Sequence, residues 1–435
     1  MKYLFVACLL CLSVLSAVAK VPAMNKIRLT NNWEYLKGDL GGIWEAVRPA
    51  APGSSEAVPI WQPVTLPHCF NAEDAVDPDV NYYEGPGWYK TLLAIDNPYR
   101  NGRIVLDFDG AGQKTDVYVY TTHVGSHVGG YDSWNVDITD AVKAFLGSKD
   151  AKRFKGKVPL SIRCDNSRDL EMIPSDLADF NIYGGLYRYL NLVYLPEVSF
   201  EQIRLESSLS SNLKEGILKV KTSFYNPEDI RKADVTVSVY DADRKPVFSK
   251  TLEGILPLGD QLFAEMKIKN PVLWDVDVPQ LYTCELTVKT PDQTFTTEER
   301  FGFRHTEFKD KGPFFLNGKR LLLRGTHRHE DHAGVAQAMT EDMMRREMRM
   351  MKDMGVNFIR LGHYQQSEII LDLCDELGIL VWEEIPWCRG GLGGDVYKKQ
   401  ARRMLANMIV QHHNHPAVII WGLGNENDWP NDFPE

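Results

Sequence analysis

The stretch "VIIWGLGNENDWP", residues 418–430, governs how the carboxyl-terminal third of the chain is read. Val418, Ile419 and Ile420 are β-branched and Trp421 follows them, a composition that suits a buried strand. Gly422 and Gly424 then leave the backbone bare enough for a ligand to approach closely, and Asn425 and Glu426 stand where the strand runs out. A carboxylate at the end of a core strand points to a site at the rim rather than to packing.

The same rhythm extends backward from this strand. "GKRLLLRGT" (318–326) reads as a continuous apolar strand buried on both faces, and "VNFIRLG" (356–362) and "ILVWEEIP" (379–386) as two more strands. Helices fall between them. Thr340 caps the first, Glu341 and Asp342 suit its amino-terminal dipole, and Gly355 ends it. Met344, Met348 and Met351, with Met343 and Met354 nearby, form an apolar stripe expected to pack into the core. Ser367 opens a second helix that Gly378 closes, and residues 395–413 read as a third. Strand alternating with helix predicts a parallel sheet. Each strand ends in a polar cluster: 324–330, 360–364, Glu383-Glu384 and Asn425-Glu426. Chemistry at the carboxyl ends of parallel strands is the habit of the (β/α)8 TIM barrel. A doubly wound nucleotide fold shares the rhythm, but it carries a glycine-rich phosphate loop, and Gly325 stands alone with cations after it.

Before residue 305 the pattern is β-rich. "RIVLDFDGAGQKTDVYVY" (103–120), "GGYDSWNVDITDAV" (129–142) and "YRYLNLVYL" (187–195) alternate apolar and polar residues around turns, and "ILKVKTSFYN" (217–226) and "LYTCELTVKT" (281–290) repeat the habit. Two successive β-sandwiches are expected, over 20–198 and 199–304, followed by the barrel over 305–435. Residues 1–19 read as a signal peptide: Lys2, an apolar run to Val18, and a small-x-small cleavage site ending at Ala19. A secreted or periplasmic location follows, and no later stretch is apolar enough for a membrane span. The net charge of −10 argues against a nucleic-acid partner. Cys69, Cys164, Cys284, Cys374 and Cys388 remain after the signal, an odd and scattered set that does not suggest a disulfide framework or a metal motif.

Several segments carry a family resemblance. "LNGKRLLLRGTHRHED" (316–331), "MKDMGVNFIRLGHY" (351–364), "LCDELGILVWEEIP" (373–386) and "HNHPAVIIWGLGNEN" (413–427) resemble glycoside hydrolase family 2, the group of β-galactosidases, β-glucuronidases and β-mannosidases. "ADFNIYGGLYR" (178–188) and "FGFRHTEF" (301–308) also resemble family segments. The resemblance implies a jelly-roll-like sandwich, an immunoglobulin-like sandwich and then a TIM barrel. It implies an exo-acting, retaining hydrolase of terminal β-linked sugars, with β-galactosidase as the first expectation and β-glucuronidase or β-mannosidase as alternatives. A glycoside or oligosaccharide is the expected partner, and assembly into a homo-oligomer is compatible with the family.

Retaining hydrolysis needs two carboxyl groups about 5–5.5 Å apart, one shuttling a proton and one acting as nucleophile. By resemblance Glu426 is the acid/base, kept protonated by burial or a neighbouring negative charge. Asn425 is similar to the family residue that holds the sugar 2-hydroxyl. His329 and His363 resemble pocket histidines, Arg360 a strand-end arginine that orients carboxylates, and Glu384 a supporting carboxylate. Asp179 resembles a sandwich residue that reaches the barrel mouth, and Trp387, Trp421 and Trp429 are candidates to stack on a sugar. His412, His413 and His415 end a helix and are expected to serve packing or its dipole. Some β-galactosidases hold Mg²⁺ just after the third strand; here Ile385-Pro386-Trp387 follow instead, so neither metal nor cofactor is expected.

Two departures from the pattern stand out. Gln365 follows Tyr364 where the family usually has proline. The family's nucleophile lies on a later strand than any seen here, and the barrel is expected to be truncated after about four strands. The chain then reads as the front half of a longer enzyme, or, in a reading of a different class, as an inactive or carbohydrate-binding fragment.

Overall fold

The computed structural model describes residues 26–49, 59–175, 177–226, 232–389 and 393–427. The segment read as a signal peptide, and Trp429, lie outside the described residues.

The first sandwich is antiparallel throughout. A six-stranded sheet runs in the spatial order Gln62–Val64, Trp33–Lys37, Pro86–Leu93, Val158–Asp165, Lys114–Val119, Thr122–Val128. A four-stranded sheet, Lys26–Arg28, Leu190–Leu195, Arg103–Phe108 and Trp134–Asp137, faces it. Leu106, Val117, Leu160, Ile162 and Leu192 fill the space between them. In the second domain Glu215–Tyr225 alternates half-buried and buried residues along its whole length, the signature of a strand with one face on a core. Its three-stranded sheet packs on a four-stranded one through Phe200, Val220, Val237, Leu286 and Phe295. These are the jelly-roll-like and immunoglobulin-like sandwiches expected from the alternation.

After a short antiparallel hairpin the parallel sheet begins. Its strands are β1 (Gly325–Arg328), β2 (Phe358–Leu361), β3 (Leu380–Glu384) and β4 (Val418–Gly422), paired in that order. Helices α1 (Glu341–Asp353), α2 (Glu368–Leu377) and α3 (Asp395–His412) connect them. Thr340 and Ser367 accept amide hydrogen bonds at the starts of α1 and α2, and Gly378 ends α2 in the left-handed conformation. Met344 and Met348 pack with Ile359, Leu361, Ile370, Leu380 and Val381 in the layer between helices and sheet. Four strands of a TIM barrel are thus present among the described residues.

Three local expectations need correction. Residues 318–326 are not one strand: Lys319–Arg320 closes the hairpin, β1 starts only at Gly325, and Leu322 between them is 69% exposed. Only part of the run faces the core: Leu321 and Leu323 pack against the barrel cluster, and Leu322 between them does not. Met354 leaves the core stripe and is exposed, because it caps α1 beyond the last turn that faces the sheet. Gly422 and Gly424 do not open the backbone to a ligand. A Cβ on Gly422 would meet Trp382 Nε1 and Glu384 Cβ, and one on Gly424 would meet the Trp387 carbonyl, so the protein's own groups fill that room.

Among the described residues no helix is long and apolar enough to cross a membrane.

Candidate active site

The carboxyl ends of β2, β3 and β4 converge. Parallel register sets Leu361 beside Glu383 and Glu384 beside Gly422, so the residues that follow each strand share one rim. Alternation then separates the two glutamates. Glu384 points to the rim side, where Arg360 holds both of its oxygens (Nε–Oε2 3.2 Å, Nη2–Oε1 3.0 Å) and His363 Nδ1 lies 2.7 Å from Oε1. Glu383 faces the opposite way and pairs with His412 at 2.8 Å. His415 pairs with Asp375 at 2.6 Å, so both of these histidines are engaged by buried carboxylates.

Arg360 also reaches β4, donating from Nη2 to Asn425 Oδ1 at 2.8 Å. Asn425 in turn donates to Cys388 Sγ at 3.4 Å, and the Cys388 thiol donates to Asp179 Oδ1 at 3.3 Å. The chain Glu384–Arg360–Asn425–Cys388–Asp179 therefore runs from the third barrel strand to the first sandwich. Burial pushes the Cys388 thiol up to about 11, so it is present as a protonated donor. The backbone around it is fixed by Asn425 N to Trp387 O (2.8 Å) and Arg389 N to Asn425 O (3.0 Å).

Glu426 follows immediately, with φ 51°, a left-handed conformation that a side chain adopts at some cost in strain. Its carboxylate lies 3.4 Å from Arg389 Nε, and Arg389 also approaches Asp179 at 3.6 Å. The side chain of Glu426 is 58% exposed. The burial or second carboxylate expected around an acid/base is thus not found among the described residues. Glu426 nonetheless sits at the strand tips, joined through Arg389 to the residues that surround Asn425.

On the other side of the rim His329 and His363 face each other with ring centroids 5.3 Å apart, and Phe180 from the sandwich lies over both. Burial, followed by the neighbouring His327 and His363 rings, pushes His329 down to about 4. It is therefore a neutral ring at physiological pH, able to donate to one hydroxyl and accept from another. Tyr364, stacked on Tyr131, donates or accepts at His329 Nδ1 over 3.4 Å. Trp387 is half-buried against Tyr397 and Ile385 rather than lying free as a stacking platform. Trp421 packs between two core clusters.

Reading the sequence missed what holds the sandwich to the barrel. Arg188 and Glu330 form a fully buried pair, Nε to Oε1 3.0 Å and Nη2 to Oε2 3.1 Å. Arg188 Nη2 also donates to the Gln365 carbonyl at 2.7 Å, and Glu330 accepts from the Ser367 amide at 2.8 Å. Gln365, the residue standing in place of proline, donates its own amide to Gln411 at 2.9 Å. Both Arg188 and Glu330 lie inside the quoted motifs, but neither position shows that the other is its partner.

A TIM barrel whose strand ends gather Arg360, Glu384, Asn425 and Glu426, with an aspartate and a phenylalanine delivered from a preceding β-sandwich, defines the class: a multidomain protein built around a carboxylate-bearing barrel mouth. Three families match in succession: glycosyl hydrolases family 2, sugar binding domain, over 40–196; glycosyl hydrolases family 2 over 198–304; and glycosyl hydrolases family 2, TIM barrel domain, over 307–434. The chain belongs to glycosyl hydrolase family 2. The solved β-glucuronidase of Parabacteroides merdae, with glycerol in its active site, superposes with a TM-score of 0.94 and is 98% identical, covering 97% of this chain and 53% of that one. A β-glucuronidase of Bacteroides fragilis is 32% identical over 382 residues, covering 83% of this chain and 53% of the relative. A β-galactosidase of Thermoanaerobacter pseudethanolicus is 28% identical over 416 residues, covering 92% and 52%. The chain spans about half the length of the relatives it matches.

Proposed function

We propose that the whole protein to which this chain contributes hydrolyses terminal β-linked glucuronides with retention of configuration. The observation that carries the sugar is the 98% identity to a solved β-glucuronidase, against 28% to a β-galactosidase. It favours the glucuronide alternative over the β-galactoside expected first from the motifs. In this reading Glu426 delivers the proton to the leaving oxygen and takes one from water in the second step. Asn425, fixed by Arg360 and Cys388, presents its amide to the sugar 2-hydroxyl. His329 and His363 contact ring hydroxyls, and Asp179 closes the mouth from the sandwich side. Residues 1–19 direct export, and the mature protein begins at Lys20.

A panel of p-nitrophenyl glycosides, assayed with protein expressed from the complete coding sequence, tests the proposal. The β-glucuronide is expected to exceed the β-galactoside and β-mannoside in kcat/KM by a hundredfold or more, on the order of what a charge-reading pocket gives. A β-galactoside turned over equally well would reject the glucuronide reading. Amino-terminal sequencing of exported protein tests the cleavage point.

A further inference from the structure

His327, His329 and His363 converge at the barrel rim, and one ring nitrogen of each lies within 4.8 Å of the other two. The convergence is built by the sheet. His327 is on β1 and His329 two residues on, so both side chains take the same face, and the parallel register that sets Arg328 beside Leu361 brings His363 alongside them. The three ring centroids are 4.8, 5.1 and 5.3 Å apart. Three imidazoles around a tetrahedral zinc, with Zn–N of about 2.0–2.1 Å, place their centroids roughly 5 Å from one another.

Two of the rings are already oriented by outer partners. His363 Nδ1 is held by the buried carboxylate of Glu384 at 2.7 Å, leaving Nε2 for a metal. His329 Nδ1 is engaged by Tyr364 at 3.4 Å, again leaving Nε2. A carboxylate or hydroxyl on the far nitrogen is the usual support of a metal-ligating histidine. The third ring, His327, packs over Gly362, where any side chain would collide with it. The neighbouring cation Arg360 is offset by both oxygens of Glu384, so it does not present a bare charge to an incoming metal. This is not the Glu383–Glu384 pair that the sequence sets side by side; Glu383 faces away.

We infer that His327, His329 and His363 form a three-histidine site for a divalent transition metal, with zinc as the best-fitting ion, and that a bound ion blocks the mouth of the active site. The blockade rests on the proposed function, because His329 and His363 are assigned there to the sugar. The metal binding does not.

The test uses the complete protein, stripped with EDTA and exchanged into chelator-free buffer at pH 7.5. Titration calorimetry with zinc chloride is expected to show one zinc per chain, and absorption at the zinc edge three nitrogen neighbours at about 2.0 Å. His327→Gln and His327→Asn remove one ligand and are each expected to weaken zinc binding tenfold or more. In assays of a nitrophenyl glycoside, zinc should raise KM with kcat unchanged, EDTA should restore the rate, and both variants should resist zinc while keeping their metal-free rate. No stoichiometric zinc in the wild type, a sulfur neighbour in the spectrum, or undiminished binding in both variants overturns the site. Zinc bound without effect on KM overturns the blockade. Metal-free protein inert on every glycoside would reject the functional reading and leave the calorimetry to decide the site.

Discussion

Arg360 grips both carboxylate oxygens of Glu384, and Glu384 is fully buried while Arg360 keeps a quarter of its side chain in solvent. The pair links stability to chemistry, because the same guanidinium fixes Asn425. Arg360→Ala should leave a buried carboxylate with only His363 as partner among the described residues and cost about 3 kcal/mol or more. Arg360→Lys should recover part of that stability but not the two-pronged geometry. Chemical denaturation measures the first effect. A fall in kcat in the Arg360→Lys variant larger than its stability explains would locate the second at Asn425.

Glu426→Gln is expected to lower kcat/KM by about 10²–10⁴ on glycosides with poor leaving groups. Activated aryl glycosides should lose less, since their leaving oxygen needs little protonation. A plot of log kcat/KM against leaving-group pKa measures this, and equal loss across the series would remove Glu426 from the acid/base role.

Cys388 should be a poor nucleophile. Its thiol is buried and pushed up to about 11, so the thiolate fraction near pH 8 is roughly one in a thousand. Alkylation by iodoacetamide in native protein should be slow at pH 8 and quicken above pH 10. Cys388→Ala should raise KM by removing the bridge between Asp179 and Asn425, whereas Cys388→Ser, which can still donate and accept, should restore most of it.

His68 carries a pH-dependent share of stability in the first sandwich. Burial lowers it from 6.5 to about 4, and its Nδ1 lies 2.8 Å from Tyr89 Oη. A folded-state value below the unfolded one means the contribution is present above pH 6.5 and is lost as the pH falls toward 4. It amounts to about 2–3 kcal/mol. The difference in unfolding free energy between wild type and His68→Gln, measured from pH 7 to 4, should shrink or reverse on acidification.

Arg188→Met should weaken the sandwich–barrel contact by several kcal/mol, about 3–5, because it strands Glu330 without a counter-charge. Arg188→Met combined with Glu330→Leu should recover much of the loss. Unfolding followed by tryptophan fluorescence and by limited proteolysis between the domains checks both.

The order of the domains and the kind of residue at each strand end were legible in the chain before any folding. Alternation in 217–226, capping by Thr340 and Ser367, and the polar endings after 360, 383 and 425 are local signals, because side-chain direction follows the period of the element that carries them. Strand pairing and domain docking emerged only in three dimensions. Leu322 is apolar yet exposed because its neighbours Leu321 and Leu323, and not it, pack against the barrel core. Gly422 reads as a gap for a ligand until Trp382 and Glu384 are seen to occupy it. Arg188 and Glu330 lie 142 residues apart, and no periodicity links positions so distant. The convergence of His327, His329 and His363 likewise depends on the register between β1 and β2, which is fixed by backbone hydrogen bonds that leave no trace in the order of the residues.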